Sequence, residues 1–131
     1  MSNLSWNEEA TTKTPGINFD SENNRLIIEG KLIPEDPKIF FNKLYDWLNL
    51  FLMSPVNSVE FDLYLYYYNT SSLKRLVIFF DQLERALRKS HKKVRINWRC
   101  DQADEDNIAD GKDFQNMFSL DINIVEVPDE V

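Results

Sequence analysis

Residues 58–80 read SVEFDLYLYYYNTSSLKRLVIFF, and the change of rhythm inside them decides the fold. From Ser58 to Tyr68 the pattern alternates: Val59, Phe61, Leu63, Leu65 and Tyr67 point one way, and Glu60, Asp62, Tyr64, Tyr66 and Tyr68 the other. A period of two is that of a β-strand. One face suits a core, and the other, charged and then tyrosine-rich, suits a sheet surface that is only partly covered. From Ser71 or Ser72 to Lys89 the period becomes helical, with Leu73, Leu76, Val77, Phe80, Leu83 and Leu87 on one face. Asp81 with Arg85 and Glu84 with Arg88 stand four apart in the favourable acid-first order. Ile78 is the exception, an apolar residue on the outer face beside Lys74 and Arg75.

The junction is Asn69-Thr70-Ser71-Ser72. Asn, Ser and Thr suit a helix start because their side chains accept hydrogen bonds from first-turn amides that have no partner in the helix. A helix start is also a ready anion site, which makes the same hydroxyls candidates for phosphorylation. Spacing alone leaves both readings open.

Working toward the N-terminus, Ser54-Pro55 ends an earlier helix, because the residue before a proline avoids helical geometry. Asp36-Pro37 starts that helix, a capping Asp with Pro at the first helical position. Phe40, Phe41, Leu44, Trp47, Leu48, Phe51 and Leu52 form its apolar face, with Ile39 and Leu50 opposite. Gly16–Phe19 and Arg25–Lys31 flank the turn-forming run Asp20-Ser21-Glu22-Asn23-Asn24 and predict a β-hairpin. Residues 1–14 are polar apart from Leu4 and Trp6 and read as a flexible arm preceding a domain over residues 15–131, with Trp6 as the residue that could pin it to the body.

Toward the C-terminus, Val94, Ile96, Trp98 and Cys100 alternate inward along another strand. Asp104-Glu105-Asp106 opens a short acidic helix that Gly111 is expected to stop near Asp110, with Phe114, Met117 and Phe118 docking a further turn. Ile122–Val127 is a last strand. Strands separated by helices imply crossover connections and parallel pairing. The predicted architecture is one α/β domain: a mixed sheet with an N-terminal hairpin and helices mainly on one face.

The formal charge is −7 and the pI about 4.7, which argue against nucleic acid or an anionic membrane as partner. The longest apolar stretch, Ile39–Met53, is interrupted by Asn42, Lys43, Asp46 and Asn49 and is too short to span a bilayer. A single cysteine, Cys100, offers no intrachain disulfide and fits a reduced, cytoplasmic setting. The six acidic residues between Asp101 and Asp113 fail the calcium-loop pattern, since no register supplies both a glycine at its sixth position and a glutamate at its twelfth. The single histidine, His91, lies at the far end of the second helix from Ser71, roughly 27 Å for about eighteen residues, beyond the reach of a Ser–His pair. No glycine pattern forms a nucleophile elbow or phosphate loop. These features argue against an enzyme, a metal or a cofactor; a small ligand-binding domain or enzyme using the tyrosine-rich sheet face is the alternative.

Several short elements bear on function together: Phe19-Asp20, Ile33-Pro34-Glu35, Asp46-Trp47-Leu48, Tyr68-Asn69-Thr70-Ser71-Ser72, Asn97-Trp98 and Asp104-Glu105-Asp106. In this order and spacing, over roughly residues 12–127, the chain resembles the SiaC family of bacterial regulatory phosphoproteins. The resemblance implies a fold similar to STAS-type anti-sigma-factor antagonists and a signalling role by partner switching. It implies phosphorylation of Thr70 by a serine/threonine kinase and reversal by a PP2C-type phosphatase. It also implies that the unphosphorylated form, in some members, activates a diguanylate cyclase and so touches cyclic-di-GMP and biofilm formation. Asn69, Ser71 and Ser72 would form the loop around the acceptor, with Lys74, Arg75, Ile78, Tyr64 and Tyr66 as candidate partner contacts.

Overall fold

The computed structural model describes residues 4–128 as a six-stranded sheet with three helices. The strands are β1 (Asn7–Glu8), β2 (Gly16–Asp20), β3 (Arg25–Leu32), β4 (Ser58–Tyr68), β5 (Lys93–Asp101) and β6 (Asp121–Val127). The helices are α1 (Pro37–Met53), α2 (Thr70–Arg88) and α3 (Glu105–Met117). Strand order in space follows chain order, antiparallel from β1 to β3 and parallel from β3 to β6. Three parallel crossovers advancing in one direction, each with the usual right hand, put all three helices on one face.

The local chemistry explains the boundaries. Asp36 caps α1 by accepting from the Lys38 amide at 3.0 Å, with Pro37 in the first turn. Ser54 closes α1, its hydroxyl donating to the Phe51 carbonyl at 2.7 Å. The helix faces and the inward strand residues meet in one core, in which Leu26, Phe51, Phe61, Phe80, Leu83, Ile96 and Cys100 are fully buried. The other sheet face is open to solvent. Across it run paired charges: Arg25 with Glu60, Arg95 with Asp121, and the buried Asp62 with Arg99 at 2.6 Å.

Three expectations from sequence change. The first concerns the arm: within residues 4–14, Asn7–Glu8 pairs with β2, Leu4 is buried, and its carbonyl accepts from Trp47 Nε1 at 2.8 Å. Burial of Leu4, that hydrogen bond and the Lys43–Glu8 ion pair offset the entropy of ordering it; residues 1–3 lie outside the described ones. The second concerns Gly111, which does not stop a helix. α3 runs through it, because a Cβ there would stand 2.6 Å from Trp98 Cδ1 and only glycine lets the helix sit on that ring. The third concerns the end of β4. Gly30 is opposite Leu65 but Lys31 is opposite Tyr67, so Tyr66 is an extra residue in a β-bulge. Beyond the bulge the facing inverts: Tyr67 is 56% exposed, and Tyr68 turns inward against Trp98.

Candidate functional site

The bulge delivers the chain to the Asn69–Ser72 junction at the edge of the sheet where parallel strands end and helices begin. Gly30 has φ +137°, a conformation strained for any side chain, and Pro15, just before the neighbouring β2, lies against it. Asn69 then caps α2 with both of its oxygens: Oδ1 accepts from the Ser72 amide at 2.9 Å, and the carbonyl accepts from the Leu73 amide at 2.9 Å. The amides of Thr70 and Ser71 precede the first intrahelical bond, at the positive end of the helix dipole.

This geometry sorts the three hydroxyls. Thr70 and Ser71 are exposed, whereas Ser72 is 1% exposed on the core side and its Oγ has no hydrogen-bond partner. An incoming protein can reach Thr70 and Ser71 without unfolding α2, and it cannot reach Ser72. Lys74 is exposed, Arg75 half-buried and Ile78 53% exposed. With Thr70, Lys74 and Ile78 at successive spacings of four, they form one solvent-facing stripe along the first two turns of α2.

Tyr64 and Tyr66 are not part of that stripe. They lie on the open sheet face, opposite the helices, with rings edge to face at 4.7 Å. The Tyr64 hydroxyl donates to Asp101 and the Tyr66 hydroxyl to Glu29 at 2.5 Å. These hydrogen bonds to carboxylates push both tyrosines up to about 12. Hydroxyls engaged in this way belong to the cross-strand pairing of the face. The candidate contacts therefore fall on two surfaces, and only Lys74, Arg75 and Ile78 flank Thr70.

Tyr68, read from sequence on the tyrosine-rich face, completes the site together with Asn107 and Asp110, which were not singled out. The Tyr68 hydroxyl donates to Asp110 Oδ2 at 2.6 Å, with Asn107 Oδ1 beside it at 3.0 Å. Burial first, and then the bond to Asp110, raises the Tyr68 pKa far above its ordinary value. Asn107, 4% exposed, uses its remaining groups as well. Its Nδ2 donates to the Leu65 carbonyl at 3.1 Å, its carbonyl accepts from Trp98 Nε1 at 3.1 Å, and its amide donates to Asp104 Oδ1 at 3.1 Å. The acidic run at 104–106 is thus a capped helix start, and among the described residues no group of three or more His, Cys, Asp or Glu side chains is placed to hold a metal ion. No helix among them is long and apolar enough to cross a membrane.

A one-sided α/β sandwich with three helices over a mixed sheet is a STAS-like fold. Comparison with known proteins makes the assignment specific. The model of the SiaC family regulatory phosphoproteins matches residues 8–127, and the chain belongs to that family. An uncharacterized protein of Pseudomonas aeruginosa is 35% identical over 95 residues, 72% of this chain and 75% of its own length. The crystal structure of apo-SiaC from the same species superposes with a TM-score of 0.77 at 30% identity, covering 92% of this chain and 97% of that one. SiaC in complex with the diguanylate cyclase SiaD, which it activates, gives a TM-score of 0.82 at 29% identity over 94% and 100% of the two chains.

Proposed function

We propose that this chain is a non-enzymatic, cytoplasmic switch that binds and activates a diguanylate cyclase, and that phosphorylation of Thr70 releases it. The observation that carries the reading is the exposed Thr70 in the first turn of α2, beside buried Ser72, in a member of a phosphoprotein family whose relative SiaC is solved bound to SiaD. A serine/threonine kinase and a PP2C-type phosphatase are the opposing enzymes. The partner contacts are Lys74, Arg75 and Ile78 on the same stripe.

The energetics favour a change of partner over a change of fold. A phosphate adds about −1.5 to −2 charges at neutral pH. Against the N-terminal end of α2 it gains roughly 0.3–1 kcal/mol from the dipole, and Lys74 and Arg75 follow within two turns. The free domain therefore accommodates the group. A partner packed over the stripe would have to bury it, and an uncompensated buried charge costs several kcal/mol. At about 1.4 kcal/mol per tenfold in affinity, that abolishes a micromolar complex. The test compares capture of the cyclase encoded in the same genome by the wild type, Thr70→Ala and Thr70→Asp, with thermal melts of each. Retained capture by Thr70→Ala, lost capture by Thr70→Asp and melts within a few degrees support the reading. Equal capture by both variants refutes it.

A further inference from the structure

Resting on that reading of Thr70, we propose that Tyr68 couples the Asn69–Ser72 junction to α3, so that the starts of α2 and α3 loosen and tighten as one unit. Three observations converge. The bulge at Tyr66, where the register shifts just after the positive-φ Gly30, is what turns Tyr68 toward the helices. Two residues before Thr70, its hydroxyl bonds to α3, donating to Asp110 with Asn107 alongside. Asn107 in turn holds the Leu65 carbonyl of β4 through its side-chain amide and the Trp98 indole of β5 through its backbone carbonyl, so α3 is fastened to both strands beneath the junction at one buried residue. In a buried polar network the hydrogen bonds reinforce one another, so the loss of one member weakens the rest.

The coupling has a sign. Asp104 and Asp110 both act on Tyr68, and Glu105 and Asp106 follow in the first turn of α3. A phosphate on Thr70, two residues along the chain from Tyr68, adds negative charge to a junction whose contact with α3 already ends on a carboxylate, while the α2 dipole favours it. Phosphorylation therefore firms the start of α2 and strains the contact to α3. A partner that touches α3 alone would sense the state of Thr70, and by linkage its binding would alter how tightly the junction is held.

The experiment is hydrogen–deuterium exchange on the full chain. In the unmodified protein, Tyr68→Phe keeps the ring on Trp98 but removes the hydroxyl, and Asp110→Ala removes the acceptor. Both are expected to speed exchange about tenfold at Ser72–Leu73 and at Ile108–Gly111 together, the scale of one lost net hydrogen bond, with α1 unchanged. Acceleration confined to one of the two segments, or spread equally into α1, overturns the coupling. In the phosphorylated protein, faster exchange at Ile108–Gly111 in the wild type, and no further change there in Tyr68→Phe, supports the sign given. The same response in both overturns it. If Thr70 accepts no phosphate, the reading of the switch fails, and the unmodified comparison still decides the coupling.

Discussion

Replacing Gly111 by Ala reverses the usual effect of that substitution in a helix. On an exposed helical surface Gly→Ala gains about 0.8–1 kcal/mol, because alanine gives up less backbone freedom on folding. At Gly111 the new methyl would stand 2.6 Å from Trp98 Cδ1, 3.1 Å from Nε1 and 3.2 Å from Ile124 Cγ1, where ordinary contact begins at 3.4 Å. Trp98 cannot yield readily. It is 1% exposed, packed edge to face on Phe114 at 5.1 Å, and bonded to the Asn107 carbonyl. Overpacking of this kind costs about 1–3 kcal/mol, and displacement of α3 also weakens the indole hydrogen bond, worth about 1 kcal/mol. The net expectation is a loss of about 1–2 kcal/mol. With about 2.1 cal/mol/K of unfolding entropy per residue, that lowers the melting temperature by roughly 4–7 °C. The assay is calorimetry of Gly111→Ala beside Ala109→Gly, an exposed position on the same helix that should lose about 1 kcal/mol by propensity alone. A rise in melting temperature for Gly111→Ala would refute the packing argument.

Gly30→Ala should cost about 1–3 kcal/mol in urea unfolding, since φ +137° is strained for any side chain and Pro15 Cα lies 3.1 Å from the added carbon; an unchanged midpoint would show that the bulge needs no glycine. Ile78→Asp should weaken capture of the cyclase while shifting the melt by no more than a few degrees, because Ile78 is 53% exposed; a large loss of stability would place it in the core. Alkaline stability follows from Tyr64 and Tyr66, whose folded pKa of about 12 exceeds the ordinary 10.0. A raised folded value means that their contribution is whole below pH 10 and lost as the pH rises through 12. Melting temperatures from pH 8 to about pH 12 should fall less steeply in a Tyr64→Phe, Tyr66→Phe double variant than in the wild type. Equal slopes would exclude these two groups as the cause.

Periodicity carried most of the architecture because each helix has one apolar face and the parallel strands alternate. The buried set of α1, from Phe40 through Phe51, matches the face read from spacing, and so does the strand from Val94 to Cys100. Where the reading failed, the deciding contact was distant in sequence. Nothing local to Tyr66 marks it as a bulge, because the shift depends on Gly30 in another strand. Phe79 is 1% exposed although it was not on the apolar face read for α2, since Tyr45 of α1 and Phe61 of β4 close over it. Gly111 looked like a stop signal because its partner, Trp98, belongs to β5.

The candidate site divides in the same way. The cap and its exposed hydroxyls were legible, since Asn69 and Thr70 act within a few residues of each other. The separation of Tyr64 and Tyr66, on the sheet face away from the helices, from Lys74, Arg75 and Ile78 on α2 was legible as well, because the two periods assign their faces. Asn107 and Asp110 were missed, and Tyr68 was placed on the wrong face of β4. A buried asparagine that bonds two strands and a tyrosine across 39 residues has no sequence signature of its own.

The central claim, that the occupancy of Thr70 governs partner binding, is tested most directly by site-resolved mass spectrometry of the chain recovered from its own cells. The free pool and the pool co-purified with the cyclase are quantified separately for phosphate on Thr70, Ser71 and Ser72. Phosphate is expected on Thr70 in the free pool, depleted from the cyclase-bound pool, and absent from the buried Ser72 in either. Phosphate absent from Thr70, or present at equal occupancy in both pools, would contradict it.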